Sequence, residues 1–226
     1  MKLPTSFVLV LLAGCTTTDA PADRSRSLFD GKTLAGFKAT GNPEGWGVED
    51  GAITCLVQRG QYLYTEQQFE DFILELEYRI ASEGNRASGN SGIFFRWSDL
   101  EDPVHTGIEM QVIDNEGRSM DKHAAGAIYD IQAVPADASR PAGEWNQVRI
   151  ECRGASVKCY LNGTLTGDID LDQFTEAGKN PDGTGNKFRY AYKDLPRRGH
   201  IGFQDHGDRV WYRDIRITEP ASGGIW

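Results

Sequence analysis

The sequence predicts an all-β domain, a sandwich or barrel of short antiparallel strands. Three observations carry that prediction. Short segments alternate apolar and polar side chains, as half-buried strands do. Clusters of Gly, Asn, Asp and Pro separate them and supply the turns. No stretch sustains the 3.6-residue period of an amphipathic helix. In chain order the strands fall at 46–49, 52–56, 62–64, 72–80, 92–97, 107–114, 127–130, 147–152, 157–161, 199–204 and 210–217. That many short strands at this spacing fit one sandwich or barrel. The loop at 173–198, rich in Gly, Asn, Lys and Asp, is long enough to be expected to carry function or to move.

The chain ahead of the first strand reads differently. Met1-Lys2 gives a positive start and 7–12 a brief apolar run, too short for a membrane-spanning helix. Leu12-Ala13-Gly14-Cys15 resembles a bacterial lipobox, which implies lipidation of Cys15 and a membrane anchor. The expected organisation is a signal peptide at 1–14, lipidated Cys15 and a polar tether at 15–26, the folded domain at 27–218 and a tail at 219–226. Thr16, which is not acidic, is what that motif associates with the outer membrane. An exported lipoprotein of the cell envelope follows, on the periplasmic face or the surface of the outer membrane.

A net charge of −9 argues against nucleic-acid binding, because phosphate neutralisation needs a basic surface. Cys55, Cys152 and Cys159 follow Cys15. A hairpin with its turn near Ala155-Ser156 would set Cys152 opposite Cys159 on the apolar face. Export permits a disulfide there, and buried free thiols are equally ordinary. No Cys-x-x-Cys or His-x-x-x-His spacing indicates a zinc site.

The most unusual stretch is Gly199-His200-Ile201-Gly202-Phe203-Gln204-Asp205-His206-Gly207. Alternation buries Ile201 and Phe203 and sets His200 and Gln204 on the opposite face, where Gly202 leaves room. In 108–112, Ile108, Met110 and Val112 point to the core and Glu109 and Gln111 away from it. In 93–97, Ile93, Phe95 and Trp97 take the core face and Phe94 and Arg96 the other. If these strands are neighbours, Arg96, Glu109 and Gln111 share a surface. The last strand adds Arg213 or Tyr212, depending on a bulge before Asp214. A solvated face is satisfied by Lys and Glu; the addition of Gln204, Tyr129 and two histidines points to a ligand face.

Several motifs in fixed order complete the reading: Leu28-Phe29-Asp30-Gly31-Lys32-Thr33-Leu34, Trp46-Gly47-Val48-Glu49-Asp50-Gly51 and Asn90-Ser91-Gly92-Ile93-Phe94-Phe95-Arg96. They continue with Glu109-Met110-Gln111-Val112-Ile113-Asp114-Asn115, Gly126-Ala127-Ile128-Tyr129, Pro141-Ala142-Gly143-Glu144-Trp145-Asn146, Leu161-Asn162-Gly163 and the Gly199 to Gly207 run. Together they resemble the 3-keto-disaccharide hydrolase family, once called DUF1080. The resemblance implies a concanavalin A-like jelly roll of two antiparallel sheets whose concave face binds sugar. It further implies cleavage of 3-keto-glycosides by elimination across C1 and C2, with hydration of the glucal product in some members, and a partner oxidoreductase that supplies the keto sugar.

The residue types suit that chemistry. A C3 ketone acidifies the C2 hydrogen, so the site needs a base near C2, a donor for the enolate oxygen and an acid for the departing O1. The base works best with a pKa near the working pH, which favours a histidine or a desolvated carboxylate. Glu109 and His206 are the catalytic candidates, with Asp205 placed to orient the His206 ring. Arg96, Gln111, Gln204 and Arg213 are donors for the oxyanion, and Trp211, Tyr129 and Phe94 offer faces to a sugar ring. His105 reads as a surface turn residue, and His123 as an edge of the cleft. A metal held by His123, Asp114 or Glu109 is conceivable chemically, but no spacing enforces it and no cofactor is expected.

Two other functions compete. Glu109-x-Gln111-x-x-Asp114 faintly resembles the carboxylate strand of laminarinase-type glycoside hydrolases, although alternation puts Glu109 and Asp114 on opposite faces. A non-catalytic carbohydrate-binding module is the second, since jelly rolls host lectins as readily as enzymes.

Overall fold

The computed structural model describes residues 24–56, 61–82 and 89–221. The signal peptide, Cys15 and most of the tether lie outside the described residues. Thirteen strands occur among them: β1 (Arg24–Ser27), β2 (Phe37–Ala39), β3 (Trp46–Glu49), β4 (Ala52–Cys55), β5 (Tyr62–Thr65), β6 (Phe72–Ile80), β7 (Asn90–Trp97), β8 (Ile108–Ile113), β9 (Asn146–Arg153), β10 (Ser156–Leu161), β11 (Thr164–Asp170), β12 (His200–Gln204) and β13 (Val210–Glu219). They form two antiparallel sheets. The larger runs β11-β10-β9-β6-β13-β4-β3, with β1 paired to the end of β13; the smaller runs β2-β5-β12-β7-β8. The fold is the all-β, concanavalin A-like sandwich expected.

Alternation built the core as anticipated. Leu74, Leu76 and Tyr78 of β6 and Ile150 and Cys152 of β9 face Ile93, Phe95, Met110, Ile201 and Phe203 of the smaller sheet, all buried. Phe203 stacks on Tyr212 of β13 with ring centroids 4.1 Å apart, which ties the two sheets together. Each such side chain contributes about 1.5–3 kcal/mol by leaving water.

Five expectations change. Segment 127–130 is not a strand, but isolated pairing of Met110 with Ile128 still lays it beside β8. Strands β1, β2 and β11 carry little apolar alternation: β1 is Arg-Ser-Arg-Ser, wholly exposed, and enters the sheet through backbone pairing with Arg216 to Glu219. The sheet thus begins at Arg24, inside the segment read as tether. The β9–β10 turn is centred on Gly154 and Ala155, because Arg153 pairs with Ser156 and Gly154 takes φ +53°. Cys152 therefore opposes Val157 and Cys159 opposes Ile150, and both thiols are free and buried.

The other two corrections concern the site. Between His200 and Gly202 the β12–β7 register shifts, and Arg96 takes φ +50°. This bulge reverses the alternation at the end of β7. Trp97 turns onto the outer face beside Tyr62, Tyr64 and His200, and Arg96 turns inward. Its buried guanidinium donates to the Glu70 carbonyl (3.1 and 3.0 Å) and the Gly154 carbonyl (2.7 Å) and pairs with Asp71 at 3.2 Å. Arg96 is a structural clamp between chain segments, not a donor to substrate. Arg96→Met is expected to cost about 1–3 kcal/mol in chemical denaturation, because the Glu70 and Gly154 carbonyls lose their donor while Asp71 keeps the Gly154 N–H.

Strand β13 lies in the larger sheet, where a bulge with Asp214 at φ +52° sets Tyr212 inward. Trp211 and Arg213 consequently face outward on that sheet, on the far side of the sandwich from Glu109. Trp211 lies between the guanidiniums of Arg79 (4.6 Å) and Arg209 (5.3 Å), and Arg213 covers Trp145 at 3.8 Å while pairing with Glu77. Neither belongs to the ligand face.

Candidate functional site

The outer face of the smaller sheet carries the expected concentration of polar and aromatic groups. Across it lie Tyr62 and Tyr64 (β5), His200 and Gln204 (β12), Phe94 and Trp97 (β7), and Glu109 and Gln111 (β8), with Phe94 paired directly to Glu109. An open cleft of about 810 Å³ covers the β2–β5–β12 side, lined by Tyr62, Tyr64, Gln204, Asp205, His105 and Arg189 among others. Tyr129 lies beside β8, its N–H donating to the Glu109 carbonyl at 2.9 Å, and lines a separate hollow with Arg118 and His123.

Glycines shape this floor. A Cβ at Gly92 would stand 2.3 Å from Glu109 Oε1, so only glycine lets the carboxyl lie over β7. At Gly202 the space is filled by the Trp97 ring, 3.1 Å from where a Cβ would be.

Glu109 is the chemically unusual group. Burial pushes its pKa up to about 8, opposed by the Lys187 ammonium. The Gln111 amide nitrogen lies 3.2 Å from Glu109 Oε1 in the orientation that satisfies both ends of the amide. Lys187 comes from the long loop at 173–198, with Nζ 4.1 Å from the Tyr129 ring centroid. Burial pulls its own pKa down, against Glu109 and Asp130. Asp130, at φ +60°, holds the loop in place: its carboxylate accepts from the Lys187 N–H at 2.7 Å and pairs with Lys122 at 2.7 Å.

The four histidines separate clearly. His200 donates from Nδ1 to the Thr65 carbonyl (2.6 Å), so its Nε2 accepts from Gln68 (3.0 Å), and the ring is fully committed. His123 Nε2 pairs with Asp130 at 3.3 Å, and its ring lies on Tyr129 at 4.9 Å. His206 is exposed in the turn after β12, and Asp205 Oδ1 accepts from the Gly207 N–H at 3.0 Å in that turn. His105 sits in the short helix α1 (Pro103–Thr106) between β7 and β8, against Phe188, and lines the cleft.

The structure thus sets Glu109, Gln111 and Gln204 on one sheet face with Tyr129 beside Glu109, lines the cleft with Gln204 and Asp205, leaves His206 exposed at the end of β12, and turns Arg96, Trp211 and Arg213 away from that face. Sequence reasoning anticipated neither Lys187 beside Tyr129 nor His105 in the cleft lining. Lys187-Phe188-Arg189-Tyr190, a cationic and aromatic run inside a polar loop, was the available signal for the first. Asp114 lies past the end of β8, where it caps Glu116 and lines a separate hollow with Asn115 and Asp137. Among the described residues no group of three or more His, Cys, Asp or Glu side chains gathers as metal ligands.

The chain is 30% identical to a 3-keto-disaccharide hydrolase of Bacteroides thetaiotaomicron over 87% of its length and 78% of that protein. A crystal structure of a candidate glycosyl hydrolase from Parabacteroides distasonis ATCC 8503 superposes with a TM-score of 0.76 at 30% identity, covering 86% of this chain and 98% of that one. The kappa-carrageenase of Pseudoalteromonas carrageenovora shares the sandwich alone, with a TM-score of 0.50 at 10% identity over 90% of this chain and 97% of the other. The model of the 3-keto-alpha-glucoside-1,2-lyase-like domain matches residues 24–218, and the chain belongs to that family.

Proposed function

We propose that this domain cleaves 3-keto-glycosides by elimination across C1 and C2, with Glu109 delivering the proton to the departing oxygen. The observation that carries the reading is a carboxyl on the outer face of the smaller sheet, paired across from Phe94 and held protonated to about pH 8 by burial. A carboxylic acid that stays protonated at neutral pH is what a glycosidic oxygen needs on leaving. Lys187 supplies a cation where negative charge develops on the enolate oxygen, and Gln111 and Gln204 supply further donors. Tyr62, Tyr64 and Tyr129 offer ring faces and hydroxyls to the sugar. Addition of water to the glucal would make the net reaction a hydrolysis. An oxidoreductase must first form the C3 ketone. The Leu12-Ala13-Gly14-Cys15 segment supports placing this reaction at the cell envelope, on a lipid-anchored chain.

A conventional retaining hydrolase is disfavoured. Five residues of extended chain separate Glu109 from Asp114 by roughly 16 Å, against the about 5–5.5 Å between carboxyls that retention needs. The test is incubation of the mature domain with a 3-keto-glucoside and with its unoxidised parent. Cleavage of the keto sugar alone, with enone absorbance in the ultraviolet, is expected. Equal turnover of the parent would favour the conventional hydrolase, and binding without turnover a carbohydrate-binding module.

A further inference from the structure

We propose that the cleft over β2, β5 and β12 is the subsite for the leaving part of the substrate, and that it takes an uncharged oligosaccharide longer than one sugar ring. The proposal rests on the elimination reading above and names the part of the substrate that reading leaves open.

Strand register connects the cleft to Glu109. The Glu109 carboxyl fills the space over β7 where a side chain of Gly92 would stand. Gly202 pairs with Phe94 and Phe203 with Ile93, so the next pair in the ladder is Gln204 with Gly92. The Ser91 hydroxyl, donating to the Gln204 carbonyl at 2.5 Å, holds that end of the two strands together. Gln204 is therefore one strand spacing, about 4.8 Å, from the glycine under the carboxyl. It also lines the cleft, and its amide nitrogen donates to the Tyr62 hydroxyl at 3.2 Å. Glu109, Gln204 and Tyr62 thus form a path along the outer face into the cleft.

The opposite side of Glu109 fixes the direction of the substrate. Met110 bridges Ile128, and both are buried in the core. The next pair, Glu109 and Tyr129, consequently shares the outer face as cross-strand neighbours. Lys187 Nζ lies 4.1 Å from the Tyr129 ring centroid, so the cation that receives the enolate oxygen is on the side away from Gln204. With the keto ring on that side and O1 at Glu109, the group on O1 points over β12 and β5. Arg189, two residues beyond Lys187 in the same loop, reaches that part of the site.

Size and charge name the class of leaving group. The cleft of about 810 Å³ crosses three strands. Three strands span about 10 Å from first to last, and one pyranose ring fills only part of that length. Tyr62 and Tyr64 provide a half-buried aromatic floor, and Thr40, Gln61 and Gln204 uncharged donors and acceptors. The charged lining is Glu101, Asp102 and Asp205, with Arg189 the only Lys or Arg among the described lining residues. Arg189 is paired with Asp102 at 2.9 Å, which leaves an acidic balance that repels uronic acids and sulfated sugars. Binding energy gained so far from the reacting atoms can be used in the transition state.

The experiment measures kcat/KM on 3-keto-glucosides whose leaving group is glucose, maltotriose or glucuronic acid, and follows binding of unoxidised maltotriose by NMR. Maltotriose is expected to exceed glucose by about 10-fold or more, and glucuronic acid to fall below it by about 10-fold or more. Arg189→Ala is expected to remove most of the maltotriose gain. The readout is the ratio of maltotriose to glucose, which a general loss of activity does not move. Equal values for glucose and maltotriose overturn the subsite and leave the elimination reading standing. Glucuronic acid equal to or better than glucose overturns the uncharged class. An unmoved ratio in Arg189→Ala overturns the part given to Arg189; if that variant does not fold, the wild-type ratio decides. Absence of wild-type turnover on every keto sugar overturns the elimination reading. Free maltotriose that perturbs Tyr62, Tyr64 and Gln204 then still supports the saccharide site, and maltotriose that perturbs none of them overturns it as well.

Discussion

Glu109→Gln is expected to lower kcat on a 3-keto-disaccharide about 10²–10⁴-fold while making the protein more stable near pH 8. The two effects share one cause. The wild-type carboxyl has a pKa of about 8 when folded and an ordinary one near 4.5 when unfolded. Below pH 4.5 both states hold the proton, and the group's contribution to folding is fully present. As pH rises from 4.5 to 8 the unfolded chain releases the proton while the folded one keeps it, so that contribution is lost. Above 8 the loss is constant. A glutamine never ionises, so the difference in Tm between variant and wild type should be small at pH 4.5 and grow to a plateau near pH 8. A shift of this size corresponds to about 5 kcal/mol, or roughly 10–20 °C for a domain of this length. Thermal melts across that range check it. A gap that stays flat as pH rises would mean that Glu109 is well solvated and ionises in the folded protein as it does in the unfolded one.

Lys187→Met is the second large effect expected. Its ammonium lies 4.1 Å from the Tyr129 ring centroid and favours the ionised form of Glu109. Removing it should lower kcat by about 10²–10³, the loss typical of a preorganised oxyanion partner. It should also move the alkaline limb of the pH profile above 8, because the acid form of Glu109 loses its opponent. The sign separates a role at the reaction centre from a role in loop packing, since simple loosening of the loop would hydrate Glu109 and move that limb down. The anchor of the loop is the backbone N–H of Lys187 on Asp130, which methionine keeps.

The site was only partly legible in the sequence because alternation reports a face within a strand and nothing about its neighbours. It set Glu109, Gln111, Gln204 and Phe94 correctly, since no bulge intervenes there. It failed at Arg96 and Trp97, where one residue at positive φ reverses the phase. It failed differently at Trp211 and Arg213: their face was legible, but strand order put them on the other sheet. Lys187 and His105 lie in segments without strand periodicity, and their positions come from long-range contacts such as those of Asp130 and Phe188.

The polar stretch at the end of the chain shows the division most plainly. The sequence alone determined the all-β class, the burial of Ile201 and Phe203, the polar face opposite them and the family, because local alternation and ordered motifs are properties of the chain itself. Tertiary structure alone decided where each histidine stands. His200 is consumed by Thr65 and Gln68, His206 is left exposed, and His105 is carried to the cleft wall. The physical reason is that a side chain's chemistry depends on its desolvation and its partners, and both are set by segments distant in sequence.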